Sequence, residues 1–412
     1  MKALCHGLPT ALLERAVAGT GRTTAAVHVR NYAAAAMPEQ IRAALGYCVQ
    51  QVRQYDYLNY VWVAQMSKDL RPALFALRAF NIETALVADT VRSKESVVGQ
   101  IRFQWWRDAI KAAYDGRPPN HPVALALAHM MHSPPHADGR GGSQTASELT
   151  LEAQPEAAAV GRGGSSNGGD DGHIHEGCIS AGSSFAGGSV GGGSGSGGAA
   201  ARSGPGRFSR YCFKRIIDAR EADFLDPQPP LDLGALEQYA EGTASQLLYL
   251  QLAAAGVKDR EADHAASHLG RAAGITTLLR GTAAHAAARR CYLPVDLCAE
   301  AAVSQEDVYG GVVSEGLRDV VHRVASLAKG HLDEARRLAP RLPKGAAAVM
   351  LPAVGVGRYL AALEAANFDP YDTRLLREQG AAGGGGDGKG EGGGVPLSYV
   401  LAIKWHQLMG TY

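Results

Sequence analysis

Arg78, Asn81, Glu83 and Asp89 interrupt an otherwise apolar stretch, RPALFALRAFNIETALVADT (71–90). Polar residues set into an apolar helix either line a cavity or form a solvated stripe. Ala85 and Asp89 stand four apart and share one helix face. His264 and His268, in DHAASHLGRAAG (263–274), are also four apart, a spacing at which two imidazoles can grip zinc or copper. No further ligand stands near them and the glutamate of an HExxH motif is missing, so no metal is expected there. A third stretch, ITTLLRGTAAHAAARRCYLP (275–294), starts as a helix and becomes a basic surface of small residues. It carries Arg280, His285, Arg289 and Arg290 and no carboxylate, which suits an anion. Asp218 and Asp223 bring acidity to FKRIIDAREADF (213–224). Trp105 and Trp106, flanked by Arg102 and Arg107, fit helix packing or, alternatively, cation–π contact and partner docking. The chain has no Gly-x-Ser-x-Gly elbow and no cysteine–histidine pairing that would make a nucleophile, so it does not read as a hydrolase.

These residues need helices to position them. Apolar residues recur at i, i+3, i+4 spacing over 70–90, 98–115, 207–225, 234–255, 259–280 and 314–338, and strand alternation is absent. Hydrophobic residues make up 46% of the 412 and aromatics only 7%, so the core must be aliphatic and alanine-rich, which favours helix. The expected fold is all-α: a single helical domain, 38–136 and 207–379, interrupted by a long Gly/Ser-rich insert at 137–206. A Gly-rich loop (380–394) and a C-terminal helix (395–412) follow. Such glycine tracts bury too little apolar area to offset backbone entropy and are expected to be disordered. They lack the strand, helix and Gly-Lys-Ser/Thr ending of a phosphate loop.

A formal net charge of +1 gives no electrostatic case for nucleic acid. Six cysteines without a CxxC pair read as free thiols in a reducing compartment. No apolar run reaches the roughly 18 residues of a membrane-spanning helix. Residues 1–32 carry four basic residues against one acid, the composition of an organelle transit peptide, and RNYAA (30–34) suits mitochondrial processing, with a chloroplast as the alternative. Cleavage there would move the net charge from +1 to −2.

Three segments (71–90, 213–224 and 269–294), ending in Tyr292-Leu293-Pro294, resemble the squalene/phytoene synthase superfamily. Its members are all-α enzymes that join prenyl diphosphates head to head, holding Mg²⁺ between two Asp-x-x-x-Asp motifs. The resemblance puts Ala85 and Asp89 at the first motif and Gly281 and His285 at the second, so three of four carboxylates are absent. A few anionic anchors are what Mg²⁺ requires. LRAFNIE, QWWRDAI, HPVALAL, DHAASHLG and SQED resemble more narrowly a branch of that superfamily that serves the assembly of mitochondrial respiratory complex I. The resemblance implies a non-catalytic protein on the matrix side of the inner membrane. Complex I subunits or assembly intermediates are its expected partners, with peripheral membrane contact and no cofactor. Two alternatives stand: an active Mg²⁺-dependent prenyltransferase, or a binder of a prenyl lipid or quinone in the old cavity. The candidate cavity residues are Arg78, Asn81, Glu83, Asp89, Asp218, Asp223, Arg280, His285 and Arg289.

Overall fold

Residues 38–91, 96–132, 208–343, 345–378 and 397–412 are described in the computed structural model. The first block holds α1 (Glu39–Tyr55), α2 (Tyr57–Ala64), α3 (Arg71–Ala85), α4 (Val87–Thr90), α5 (Ser96–Tyr114) and α6 (Pro122–His132). The second holds α7 (Arg210–Leu225), α8 (Leu233–Ala240), α9 (Gln246–Ala254), α10 (Arg260–Arg280), α11 (Thr282–Ala287) and α12 (Val295–Glu300). It continues with α13 (Gln305–Tyr309), α14 (Glu315–Leu338), α15 (Ala346–Met350), α16 (Pro352–Ala365) and α17 (Thr373–Glu378), and α18 (Leu397–Met409) follows. Among the described residues there is no strand, and all of these helices belong to one unit. The all-α expectation holds. The transit-peptide and glycine-tract expectations (1–32, 137–206 and 380–394) lie outside the described residues.

α3 is central. Every residue from Ala73 to Phe80 is buried, so the helix is covered all round. α14 is amphipathic instead. Leu317, Val320, Val321, Val324, Ala328, Leu332 and Ala335 form one buried stripe, and Ser314 caps its first turn by accepting from the Leu317 amide at 3.1 Å. That stripe packs on α10, whose buried residues include Ala262, Ala265, Ala266 and Ala272.

Two expected helices are broken, each for a visible reason. The 70–90 helix divides at Leu86 into α3 and α4. There Thr84 bonds back to the Phe80 carbonyl (2.8 Å), and Arg220 takes the Asn81 carbonyl from outside the helix. The 234–255 helix carries a π-helical turn at Glu241–Ser245. It presses on α10 where Gly270 and Gly274 stand. A Cβ on Gly270 would lie 2.3 Å from the Ser245 Cα, and one on Gly274 would lie 2.7 Å from the Ala240 Cβ. Glycine spacing thus shows where two backbones touch.

Contrary to the expectation that no stretch would be long and apolar enough to cross a membrane, Ala346–Ala365 is, but 61% of it is buried in the fold. Its second part, α16, packs against α10 and α14 as a core helix. Cys48, Cys212, Cys291 and Cys298 are free thiols, as expected.

Candidate functional site

The basic stretch after α10 meets α3 and α7 in one polar network. Arg220 on α7 reaches across to α3, donating to the Asn81 Oδ1 at 2.7 Å and to the Thr84 hydroxyl. One turn further along α7, Asp223 accepts from Arg290 (2.8 Å) and from the Tyr292 hydroxyl (2.9 Å). Tyr239 on α8 completes the network between Arg220 and Asp223. Burial and the Asp223 charge push its phenol up to about 12. The Arg290 guanidinium also bonds the Asp223 carbonyl and lies over the Tyr292 ring. Asp223 is therefore held by a cation and a phenol.

His285 packs against Tyr292, with ring centroids 4.7 Å apart. Its imidazole folds over Gly281, one turn earlier. A Cβ built on Gly281 would stand 2.5 Å from the ring. The two positions thus share one space, and the imidazole fills it. Burial, then the nearby Arg290 charge, lower the His285 pKa to about 4, so the ring is neutral at pH 7. Its Nδ1 is buried with no hydrogen-bond partner.

Beside this network opens a cavity of about 590 Å³, lined among others by Ala88, Phe224, Arg289, Arg290, Gln305 and Tyr309. Arg289 has a left-handed backbone (φ 54), lies over the Tyr309 ring and pairs with Glu306 at the surface.

The remaining candidates lie elsewhere. Arg78 is 8% exposed, pairs with Asp56 at 3.3 Å, and keeps a buried Nε without a partner. Burial lowers its pKa, as does the charge of Arg280. Arg280 shares that neighbourhood with Tyr359 and Tyr399, not with Asp223. Glu83 accepts from the Tyr47 hydroxyl at 2.6 Å. Asp218 ties α7 to α5 through Arg107 at 2.8 Å and also binds Lys214. Asp89 is exposed on α4. The structure joins Asn81, Asp223 and His285, and leaves Arg78 with Arg280, Glu83, Asp218 and Asp89 as separate features.

Arg220, Tyr239 and the pairing role of Arg290 are not apparent from the sequence. Arg220 precedes Asp223 by three residues on one helix, so a cation and an acid on one face were readable. Their partners on α3 and after α11 were not.

A model of the squalene/phytoene synthase family matches residues 52–137 and 199–379. The chain belongs to this family. Within the squalene/phytoene synthase family it is similar to NADH dehydrogenase (ubiquinone) complex I, assembly factor 6. The rat protein is 32% identical over 350 residues, covering 85% of this chain and 83% of the relative. The human protein is 30% identical over 332 residues, covering 81% and 77%. Among solved structures, a dehydrosqualene synthase superposes with TM-score 0.58 at 13% identity, over 90% of this chain and 98% of the other. Squalene synthase HpnC from Alicyclobacillus acidocaldarius gives 0.55 at 15% identity, over 81% and 98%. These structural likenesses show the fold.

The residues present do not fit the Mg²⁺ of squalene/phytoene synthases. Gly281 and His285 supply no carboxylate, and Asp223 and Asp218 are engaged by arginine or lysine. Among the described residues, no group of three or more His, Cys, Asp or Glu is arranged to hold a metal ion. His264 and His268 do meet a third histidine, His331, but the rings stand in file and do not converge on one point.

Proposed function

We propose that this protein is a non-catalytic member of the squalene/phytoene synthase family that acts in the assembly of mitochondrial respiratory complex I. The observation that carries the non-catalytic half is the contact of His285 with Gly281. Neither residue offers a carboxylate to a metal: Gly281 has no side chain, and His285 lies over it as a ring that burial keeps neutral. Ionising an allylic diphosphate releases a strongly anionic leaving group, which needs divalent metal to neutralise it. The likeness to assembly factor 6 from several animals supports the assembly half. Purified protein incubated with farnesyl or geranylgeranyl diphosphate and Mg²⁺ is expected to release no pyrophosphate above buffer. Steady Mg²⁺-dependent release would restore the prenyltransferase reading.

The proposal places the protein on the matrix face of the inner membrane, with α18 as the contact. Leu397, Leu401, Trp405 and Leu408 are 71%, 59%, 61% and 80% exposed, on the side opposite buried Tyr399 and Ile403. Residues 397–412 include no acid. An exposed Trp/Leu face without carboxylates suits an anionic lipid interface. Co-flotation with phosphatidylcholine vesicles containing an anionic lipid is expected, with loss in Leu401→Glu/Trp405→Glu. Equal flotation of that variant would remove α18 from the role.

The cavity beside Arg289 and Arg290 supports a second reading, compatible with the first: retention of a prenyl lipid or quinone headgroup. About 590 Å³ with arginines at the edge lies in the size range of small-ligand sites. A prenyl lipid found by mass spectrometry in purified protein would support it, and ligand-free preparations throughout would count against it.

A further inference from the structure

Three histidines and a glutamate cross the α8–α10–α14 junction in single file. Glu237 on α8 touches the His331 Nε2 on α14 at 2.5 Å. The His331 Nδ1 lies 2.9 Å from the His268 Nδ1 on α10. The His268 Nε2 lies 3.2 Å from the His264 Nε2, one turn back on α10. Exposure falls along the file. His264 is exposed, His268 half-buried, and the His331 side chain 11% exposed.

The carboxylate fixes the direction of every bond. Ionised Glu237 only accepts, so the His331 Nε2 must donate to it. In a neutral ring the other nitrogen then accepts, so the His331 Nδ1 takes the proton of the His268 Nδ1. By the same rule the His268 Nε2 accepts from the His264 Nε2, leaving the His264 Nδ1 open to solvent. Each of the three contacts holds one proton. A fourth proton fits on the outer nitrogen of His264 without breaking a contact, and it can shift inward along the file to rest on His331 beside Glu237. A fifth has no place on the three imidazoles, because it would set two N–H groups face to face.

We infer that Glu237, His331, His268 and His264 form a proton-counting latch on the α8–α10–α14 junction, closed with three or four protons and opened by a fifth. Three separated imidazoles take six protons, two more than the closed latch can hold. Below the ordinary imidazole pKa of about 6.5, each pH unit therefore shifts the closed-to-open ratio by up to about a hundredfold. The surrounding charges are consistent with this. Arg271 on α10 stands near His268, with Glu334 on α14 as the opposing acid, itself paired with Arg337. Glu261 at the start of α10 faces Arg341, and Glu241 in the π turn is taken by Arg271, Ser267 and Tyr249. Burial first, then the His331 and His264 charges, lower the pKa of His268, so its stabilising neutral form is present above pH 6.5 and lost as pH falls.

The latch bears on the protein as a whole because α10 runs on to Gly281 and the emptied acidic motif. Opening it would loosen the helix that ends at that site.

Two measurements test it on the full chain. In ¹⁵N-histidine spectra at pH 8, His331 and His264 should be Nε2–H tautomers and His268 the rarer Nδ1–H tautomer. An Nε2–H tautomer at His268 overturns the assigned direction. Denaturant unfolding between pH 8 and 5 then reads the proton count. The same counting leaves His264→Gln short by one proton, up to about tenfold per pH unit, and leaves His268→Phe short by none. The expected result is this graded loss of steepness relative to the wild type. Parallel pH profiles in all three proteins overturn the latch. Where His268→Phe fails to fold, the His264→Gln comparison and the tautomers decide.

Discussion

The two ends of α10 put histidine to opposite uses. At one end His264 and His268 stand in a file whose every inner nitrogen has a partner. At the other, His285 just beyond the helix sits with a buried, unpartnered Nδ1 over a glycine. One set is wired to a carboxylate, and the other fills a void beside an arginine. The residue type is shared, so its partners decide whether an imidazole carries protons or merely occupies space. That is why a buried histidine without a hydrogen-bond partner is poor evidence for chemistry, whereas a histidine file reached from two other helices is good evidence for a titrating device.

The largest effect that would break this comparison is expected between the two ends. Gly270→Ala drives a Cβ into the Ser245 backbone, which cannot rotate away. A loss of about 3 kcal/mol in denaturant unfolding is expected, at the upper end of overpacking costs. A near-neutral result would mean that the π turn slides freely along α10.

Next comes the pH response of the void-filling histidine. Its pKa is held near 4 in the fold against an ordinary value near 6.5. A base with a depressed folded pKa gives up stability as pH falls. His285 therefore leaves stability untouched above pH 6.5 and costs about 3 kcal/mol by pH 4, of which solvent access will remove part. His285→Phe is expected to flatten the profile over pH 6.5 to 4. An unchanged profile would show that His285 is charged and solvated.

Arg290 and Arg289 sharpen the same contrast on neighbouring residues. Arg290→Ala leaves the Asp223 carboxylate, 16% exposed, without its cation. A loss of about 2 kcal/mol is expected, the range for hydrogen bonds to charged groups. Arg289→Ala removes an exposed pair in which both side chains are more than half exposed. Its effect on unfolding is expected to be close to zero. Equal effects would show that the network around Asp223 is not held as described.

The fold was largely readable from helical periodicity, because α5, α7, α10 and α14 each carry one sustained apolar stripe. The breaks at Leu86 and Glu241 were not, since each depends on a distant partner, Arg220 in one case and Gly270 in the other. At the site, the absence of carboxylates at Gly281 and His285 was visible in the residues themselves. Their mutual contact was not, nor was the pairing of Asp223 with Arg290 and Tyr292, 67 and 69 residues further along the chain. The His264–His268 pair was visible as well, but His331 lies 63 residues further on and only the packing of α14 brings it into line.

Counting assembled complex I decides the assembly role. In cells lacking this protein, native gels should show a depleted complex I band with the other respiratory complexes unchanged. Re-expression of the wild-type chain should restore the band. A normal complex I band in the null cells would contradict the assembly role outright.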